Sequence, residues 1–332
     1  MPNALTAIKP HEVSKDLRGY SVLLYGTPKS GKTTLASQFP GALLFAFEKG
    51  YNTLPGVMAQ PVNSWKEFRN FLIDLRDEDT KEMYQTIVID TADIAYDYCT
   101  EYVCAQEGKD EINDIPYGKG YQLVMREFDK CLRTILRLDY GLVLISHSQD
   151  RIEKDENGVE YTQMMPTLDK RGRLVCERTC DIIGLTRPIR LEDGQVITRM
   201  FLRETPRYVA GSRFKYMPDF IELSYDNLVN AIAGAIAKEA EETGHKYITA
   251  AKSNVFAVDE EASTTPVDFP ALMNEFQDLV GKLMSANPAN RTKIASIVEE
   301  YLGRGRKVSE CTADQVPQIE LILQELNSLL QK

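Results

Sequence analysis

Between the apolar run Ser21-Val22-Leu23-Leu24-Tyr25 and the helical pattern Leu35-Ala36-Ser37-Gln38-Phe39 the chain reads Gly26-Thr27-Pro28-Lys29-Ser30-Gly31-Lys32-Thr33-Thr34. Two glycines at this spacing, followed at once by Lys and Thr, form a phosphate-binding loop, which works only between a buried strand and a helix. Gly26 and Gly31 let the backbone turn its N–H groups inward around phosphate oxygens, and the helix start adds the positive end of its dipole. Lys32 can reach β- and γ-phosphate oxygens, and the Thr33 hydroxyl can hold Mg²⁺. The whole stretch from Gly26 to Thr34 is therefore read as the binding loop for a nucleoside triphosphate, ATP with Mg²⁺.

The rest of the chain supplies a sheet for this loop to sit on. A second strand is predicted over Ala42–Phe47, ending at Glu48, and Ser64-Trp65-Lys66-Glu67 carries a capping-box pattern that opens a helix to about Asp77. Thr86–Asp90 is a short apolar strand, followed by helices at about Asp93–Gln106 and Tyr121–Leu138 and a further apolar strand at Gly141–Ser146. Strands apolar on both faces and separated by helices predict an α/β fold with a mainly parallel sheet covered on both sides. Arg151–Gln163, with Glu156-Asn157-Gly158 at its middle, reads as a hairpin or a mobile loop. Strands at Asp181–Pro188 and Val196–Glu204 and a helix near Asp226–Glu242 complete this core.

Residues 250–268 are polar and read as a linker, and three amphipathic helices follow at about 269–286, 289–302 and 313–330, the last with Thr312 and Gln315 as a capping box. The expected divisions are an N-terminal extension (1–17), an ATPase core (18–249), the linker, and a small helical appendage (269–332). Its apolar stripes, Leu272, Phe276, Leu279 and Leu283 with Ile319, Ile322, Leu323, Leu326 and Leu330, are expected to form a private core before a docking groove.

Composition removes several function classes. A 43% hydrophobic, 27% charged chain of 332 residues is globular, and its longest apolar runs are strand-sized, too short to span a membrane. With no apolar leader in Met1–Arg18, a soluble protein of the cytoplasm is expected. Six cysteines (99, 104, 131, 176, 180, 311) lack metal-site spacing, so reduced thiols are expected and no structural metal. A net charge of −10 argues against a general DNA-coating protein. Yet Met165–Lys215 holds eleven basic residues against six acidic ones, a local net of +5 that suits either a polyanion face or solvated strand edges.

Asp90, ending the strand Thr86–Asp90, is the natural second half of the site: a carboxylate at the carboxyl end of a buried strand can bind Mg²⁺ opposite Thr33. Ring-forming AAA+ ATPases often place a Glu directly after that Asp; here Thr91-Ala92-Asp93 follows, which disfavours an AAA+ motor. Glu48 instead stands at the neighbouring strand end, where the γ-phosphate would lie, and can orient and deprotonate water. The strand Leu142–Ile145 ends in Ser146-His147-Ser148-Gln149, where an imidazole can donate to a phosphate.

Taken together, Gly26–Thr34, Phe47-Glu48-Lys49-Gly50, Thr86–Asp90, Ile145–His147 with the basic segment after it, and Ala210-Gly211-Ser212-Arg213-Phe214 resemble phage-encoded RecA-like P-loop ATPases of the core-only recombinase or single-strand-annealing type. The resemblance covers about residues 18–240. It implies a RecA-like core, Glu48 as catalytic base, and His147 as γ-phosphate sensor with Gln149 as second choice. It also implies two DNA-facing loops, roughly Gly108–Tyr121 with Lys109, Tyr117, Lys119 and Tyr121, and Asp150–Arg173 with Arg151, Lys154, Lys170, Arg171 and Arg173. Cations beside aromatics suit single-stranded DNA, although Asp110, Glu111, Asp114, Asp155, Glu156 and Glu160 share these loops.

The same resemblance implies a homo-oligomer or filament whose site is completed by a neighbour's cation, with Arg171, Arg173, Arg213 and Lys215 as candidates. It further implies DNA-stimulated hydrolysis in recombination, annealing or repair in a bacterial host cytoplasm. A single-strand-binding or recombination partner would then meet the C-terminal helices. The rival readings are a nucleotide-switched accessory module with little turnover and, behind it, a P-loop kinase using residues 150–173 as a lid.

Overall fold

The computed structural model describes residues 13–14, 17–244, 247–248 and 269–330, apart from 289, 304 and 313–314. The expected linker 250–268 and most of the expected N-terminal extension lie outside the described residues. Two compact units divide at Ala257/Val258.

In the first unit, β1 (Val13–Ser14) leads to the loop strand β2 (Ser21–Gly26), α1 (Lys32–Ala36), β3 (Ala42–Ala46), β4 (Met58–Pro61), α2 (Trp65–Asp74), α3 (Glu78–Met83), β5 (Thr86–Asp90) and α4 (Ala92–Gln106). There follow α5 (Lys119–Arg137), β6 (Gly141–Lys154), β7 (Glu160–Pro166), α6 (Lys170–Thr179), β8 (Ile182–Arg190), β9 (Val196–Phe201), β10 (Gly211–Ser212), β11 (Phe220–Glu222), α7 (Tyr225–Thr243) and β12 (Tyr247–Ile248). The main sheet has the order β11-β9-β8-β2-β6-β5-β3-β4. From β8 to β4 every pairing is parallel, while β9 and β11 extend one edge antiparallel. β6 is thus inserted between the loop strand and the Asp90 strand, which puts the ends of β2, β6, β5 and β3 along one carboxyl edge. This is an α/β P-loop core with a mainly parallel sheet flanked by helices. Pro61 is tolerated because β4 lies at the sheet's edge, where a missing N–H costs no ladder bond.

The central strands are apolar on both faces because both are covered. Leu23, Ile87, Ile89, Leu142 and Leu144 pack under α2, α4, α5 and α6, whereas Val22, Leu24, Val88, Val143 and Ile145 pack under α1 and α7. Each such side chain, fully buried, contributes roughly 1.5–3 kcal/mol. Half of the capping box at the start of α2 forms as expected, with Ser64 Oγ accepting from Glu67 N at 3.1 Å, while Glu67 Oε2 accepts from the N–H of Asn63, one residue before the N-cap, at 2.7 Å. A cap of this kind is worth about 1 kcal/mol.

Several expectations need correcting. The strand expected to stop at Ser146 runs on to Lys154, because its second half finds an antiparallel partner in β7. Of the two options for Arg151–Gln163, the hairpin forms, with Asp155 Oδ1 accepting from Asn157 N and Val159 N, both at 2.8 Å, to close its turn. The supposed loop Asp150–Arg173 is therefore hairpin and helix: Lys170, Arg171 and Arg173 lie in α6, whose N-cap Asp169 accepts from Arg171 N. Lys119 and Tyr121 likewise lie in α5. Part of the expected N-terminal extension, β1, pairs in parallel with β12.

The second unit holds α8 (Phe269–Ala286), α9 (Asn290–Leu302) and α10 (Val316–Leu330). Leu279, Leu283, Ile294, Ile319, Ile322 and Leu326 close a core of their own, with Leu272 and Phe276 packed on its margin. The side chain of Leu330 lies outside the described residues. Gln315 Oε1 accepts from Thr312 N at 3.2 Å, and α10 begins one residue later. All six cysteines are free; five are buried and Cys311 is only partly covered, and burial raises the thiol pKa of each. Among the described residues no helix is long and apolar enough to cross a membrane.

Candidate nucleotide site

The loop from Gly26 to Thr34 leaves β2 and enters α1 as the motif requires. At Gly26 the backbone of β8 runs so close that a Cβ would stand 2.2 Å from the carbonyl oxygen of Thr186 and 2.4 Å from its Oγ1. Gly31 takes a φ of 84°, which favours glycine, and Lys29 also has a positive φ of 64°. The buried hydroxyls of Ser30 and Thr186 hydrogen-bond at 2.7 Å, and Thr186 Oγ1 also donates to Tyr25 O at 3.2 Å. β8 thus clamps the loop from outside. The following helix α1 is little more than one turn, so the loop's own N–H groups, more than a helix dipole, make this an anion cradle.

Lys32 is buried, and its ammonium donates to Gly26 O at 3.0 Å and Thr27 O at 2.9 Å. Burial lowers its pKa, while Asp90, Glu48 and Asp93 nearby pull it back up. Thr33 Oγ1 donates to Asp90 Oδ2 at 2.9 Å. Asp90 is 1% exposed, and burial pushes its pKa up to about 6; the Thr33 bond and the charges of Lys32 and His147 oppose that rise, whereas Glu48 adds to it. Its second oxygen, Oδ1, is buried with no hydrogen-bond partner among the described residues. A buried carboxylate with one oxygen on a threonine hydroxyl and the other unmatched is the donor set a hard divalent cation takes, so Thr33 and Asp90 fit Mg²⁺.

Glu48 follows β3, and its N–H donates to Asp90 O at 3.2 Å, tying the two strand ends together. Its Oε2 lies 3.4 Å from His147 Nε2, and both side chains are about one-third exposed. His147 Nδ1 is buried without a hydrogen-bond partner among the described residues. A Cβ placed on Gly50 would stand 3.4 Å from Glu48 Oε1 and 3.7 Å from both Asp90 Oδ2 and Thr33 Oγ1. Gly50 therefore faces the point where these three groups converge.

The structure thus brings together Lys32, Thr33, Asp90, Glu48 and His147. Gln149 is turned away from that cluster, donating to Pro166 O at 3.2 Å. The other candidates are spread more widely. Arg151 and Lys154 lie on the exposed hairpin, where Lys154 meets Glu160 at 3.3 Å. Tyr117 is fully exposed beside Lys119, and Tyr121 donates to Asn113 Oδ1 at 2.7 Å. The Arg171 guanidinium lies 4.1 Å from the Tyr121 ring centroid, bringing one residue of each expected DNA-facing segment into contact. The other in-trans candidates are held within the chain: Arg173 by Glu177 at 3.5 Å, Arg213 by Asp181 at 3.1 Å, and Lys215 by Glu242 at 3.7 Å.

Two features escaped sequence reasoning, and a third carried no role in it. Thr186 is distant in sequence and ordinary in type. Gly50 stands in the segment Phe47-Glu48-Lys49-Gly50 with no role assigned to it there. Asp93 stands in plain view three residues after Asp90, yet it accepts hydrogen bonds from Ser146 Oγ, Thr167 Oγ1 and His147 N. The acid spacing Asp90-x-x-Asp93 was the available signal.

Among known proteins, a family model described as an AAA domain, AAA_24, matches residues 18–214. The SPbeta prophage-derived uncharacterized protein YorG of Bacillus subtilis (strain 168) is 31% identical over 325 residues, 96% of each chain. The KaiC-like protein PH0186 of the archaeon Pyrococcus horikoshii OT3 is similar at 14% identity and a TM-score of 0.33, over 62% of this chain and 89% of its own. Within that matched span, Thr91 rather than Glu follows Asp90, and the carboxylate facing the site from beside it is Glu48. With the phosphate loop, its buried acid and a match across most of the core, the chain belongs to the AAA domain family AAA_24, a family of P-loop ATPases.

Proposed function

We propose that the chain is a Mg²⁺-dependent, RecA-like ATPase that works on single-stranded DNA in phage-type recombination, annealing or repair. The observation that carries this reading is the convergence of Thr33, Asp90 and Glu48 on one point beside Gly50, with His147 at 3.4 Å from Glu48. In this reading Lys32 leaves its loop carbonyls for β- and γ-phosphate oxygens, and Thr33 with Asp90 holds the metal. Bound Mg²⁺ would supply charge neutralisation at those oxygens. Glu48 orients a water and takes its proton, and the His147 side chain reports on the γ-phosphate. The prophage origin of the Bacillus relative supports a phage setting, hence a bacterial cytoplasm.

The DNA assignment rests on Arg151 and Lys154 of the hairpin, on Lys170, Arg171 and Arg173 of α6, and on Tyr117 and Lys119, cations and aromatics suited to phosphate contact and base stacking. Assembly of several copies would bring a cation to the neighbouring γ-phosphate; Arg171 suits this best, since its guanidinium rests on a tyrosine ring and, among the described residues, in no ion pair. Arg173, Arg213 and Lys215 would first have to leave their carboxylates. The core of the second unit consumes its apolar stripes internally, so a single-strand-binding partner would meet its outer faces. The test is the ATPase rate with and without single-stranded DNA over a range of protein concentrations. Stimulation that grows with protein concentration is expected, and a rate indifferent to DNA at every concentration overturns the DNA part.

A further inference from the structure

Asp93 stands in the first turn of α4, three residues beyond Asp90, and receives donors from both feet of the hairpin. Ser146 Oγ donates to its Oδ1 at 2.8 Å and Thr167 Oγ1 to the same oxygen at 2.5 Å, while His147 N donates to Oδ2 at 3.2 Å. Ser146 and His147 lie where β6 leaves the covered sheet; Thr167 immediately follows β7, where the hairpin returns. Thr167 N also donates to His147 O at 3.0 Å, so the two feet are tied to each other as well as to the carboxylate.

We propose that Asp93 is a positioning residue that sets the place of the His147 ring opposite Glu48 according to where the hairpin stands. The claim rests on the ATPase reading above. Bonds from donors to an ionised acceptor are the strong kind, and a carboxylate holding three of them fixes its partners relative to one another. A displacement of the hairpin that moves Thr167 must stretch a bond to Asp93 or carry the His147 backbone with it. The ring of His147 then shifts against Glu48 Oε2, at present 3.4 Å away. By reciprocity, a γ-phosphate that draws His147 must bias the hairpin. Ligand on the hairpin and phosphate in the site would thereby sense one another through a single side chain that touches neither.

The experiment uses the full chain with Thr167→Val, which keeps shape and removes one donor, and Thr167→Ser, which keeps the donor. ATP affinity, kcat, and hydrogen exchange over residues 160–168 are measured, the last with and without a non-hydrolysable ATP analogue and Mg²⁺. Losing one bond to a charged acceptor is expected to lower kcat about tenfold in Thr167→Val. Affinity should stay within about twofold, and the nucleotide-dependent protection of 160–168 should vanish. Thr167→Ser should keep both. Asp93→Asn should shift the same readouts in the same direction and further. Equal behaviour of the Val and Ser variants overturns the proposal, as does a fall in kcat matched by affinity and melting temperature, which marks a merely structural bond. Should the wild-type chain not hydrolyse ATP, the functional reading falls, and the exchange data still decide whether Asp93 links the two places.

Discussion

β6 is one strand with two environments. Its first half, Gly141–Ser146, is buried between β2 and β5 and shares their register residue for residue. Its second half, from Ser148 to Lys154, has one strand partner, β7, and leaves Ile152 70% exposed. The backbone hardly changes; the number of neighbours does. Where both faces and both edges are occupied, position is over-determined and a phosphate site can be held to a fraction of an ångström. Where a two-stranded ribbon stands largely alone, stability is marginal and movement is cheap. His147 sits at the boundary, which suits a residue that must be placed by one half and displaced by the other.

Breaking the rigid half should cost most. Glu48→Gln keeps the shape and removes the base, so turnover should fall about 10²–10⁴-fold with ATP binding retained, as single-turnover assays and equilibrium titration would show. Little change would favour a nucleotide-switched module over an ATPase. Next comes Asp90, whose buried carboxyl is pushed up to about 6 from 3.8. A raised carboxyl pKa means the folded chain favours the protonated form: that stabilisation is complete below about pH 4 and lost as pH rises through 6. At pH 7.5 the nucleotide-free protein therefore bears a cost of about 3 kcal/mol for the ionised group. Urea melts should find Asp90→Asn more stable than wild type at pH 7.5, the gap narrowing steadily toward pH 4, while Mg²⁺-supported turnover is lost. An Asn variant less stable at every pH would contradict the burial argument.

Gly26→Ala drives a methyl into the Thr186 backbone, and overpacking of that kind costs about 1–3 kcal/mol, readable as a lowered denaturation midpoint with weakened ATP binding. At the other end of the scale, Lys154→Ala removes a solvent-exposed pair with Glu160 and should change stability by less than about 0.5 kcal/mol. Any measurable effect of that variant should appear only as weaker, less salt-sensitive DNA stimulation. A destabilisation as large as that of Gly26→Ala would show that the hairpin is no less integral than the sheet.

Legibility followed the same divide. The loop, Asp90, Glu48 and His147 were readable because each stands at the end of a buried apolar run, and such runs announce themselves in sequence. The covered sheet and the three C-terminal helices were readable for the same reason. The second half of β6 stays open in sequence between hairpin and mobile loop because a two-stranded ribbon exposed to solvent has no apolar face to declare it, and Lys170–Thr179 reads as part of a basic loop because its helix is short and mostly polar. Thr186 and Asp93 are harder to read for another cause: their hydrogen-bond partners lie 53 to 161 positions away, and only the spacing Asp90-x-x-Asp93 leaves a local trace.

The distribution of sulfur has a practical consequence at the bench. Five thiols lie buried inside the ATPase core; the sixth, Cys311, belongs to the second unit and is partly open to solvent, although partial burial raises its pKa as well. Thiolate, not thiol, attacks a maleimide, and it must be reached to react. Access rather than ionisation thus makes Cys311 the preferred point for attaching a fluorophore to the unmodified chain, remote in sequence from every residue of the nucleotide site.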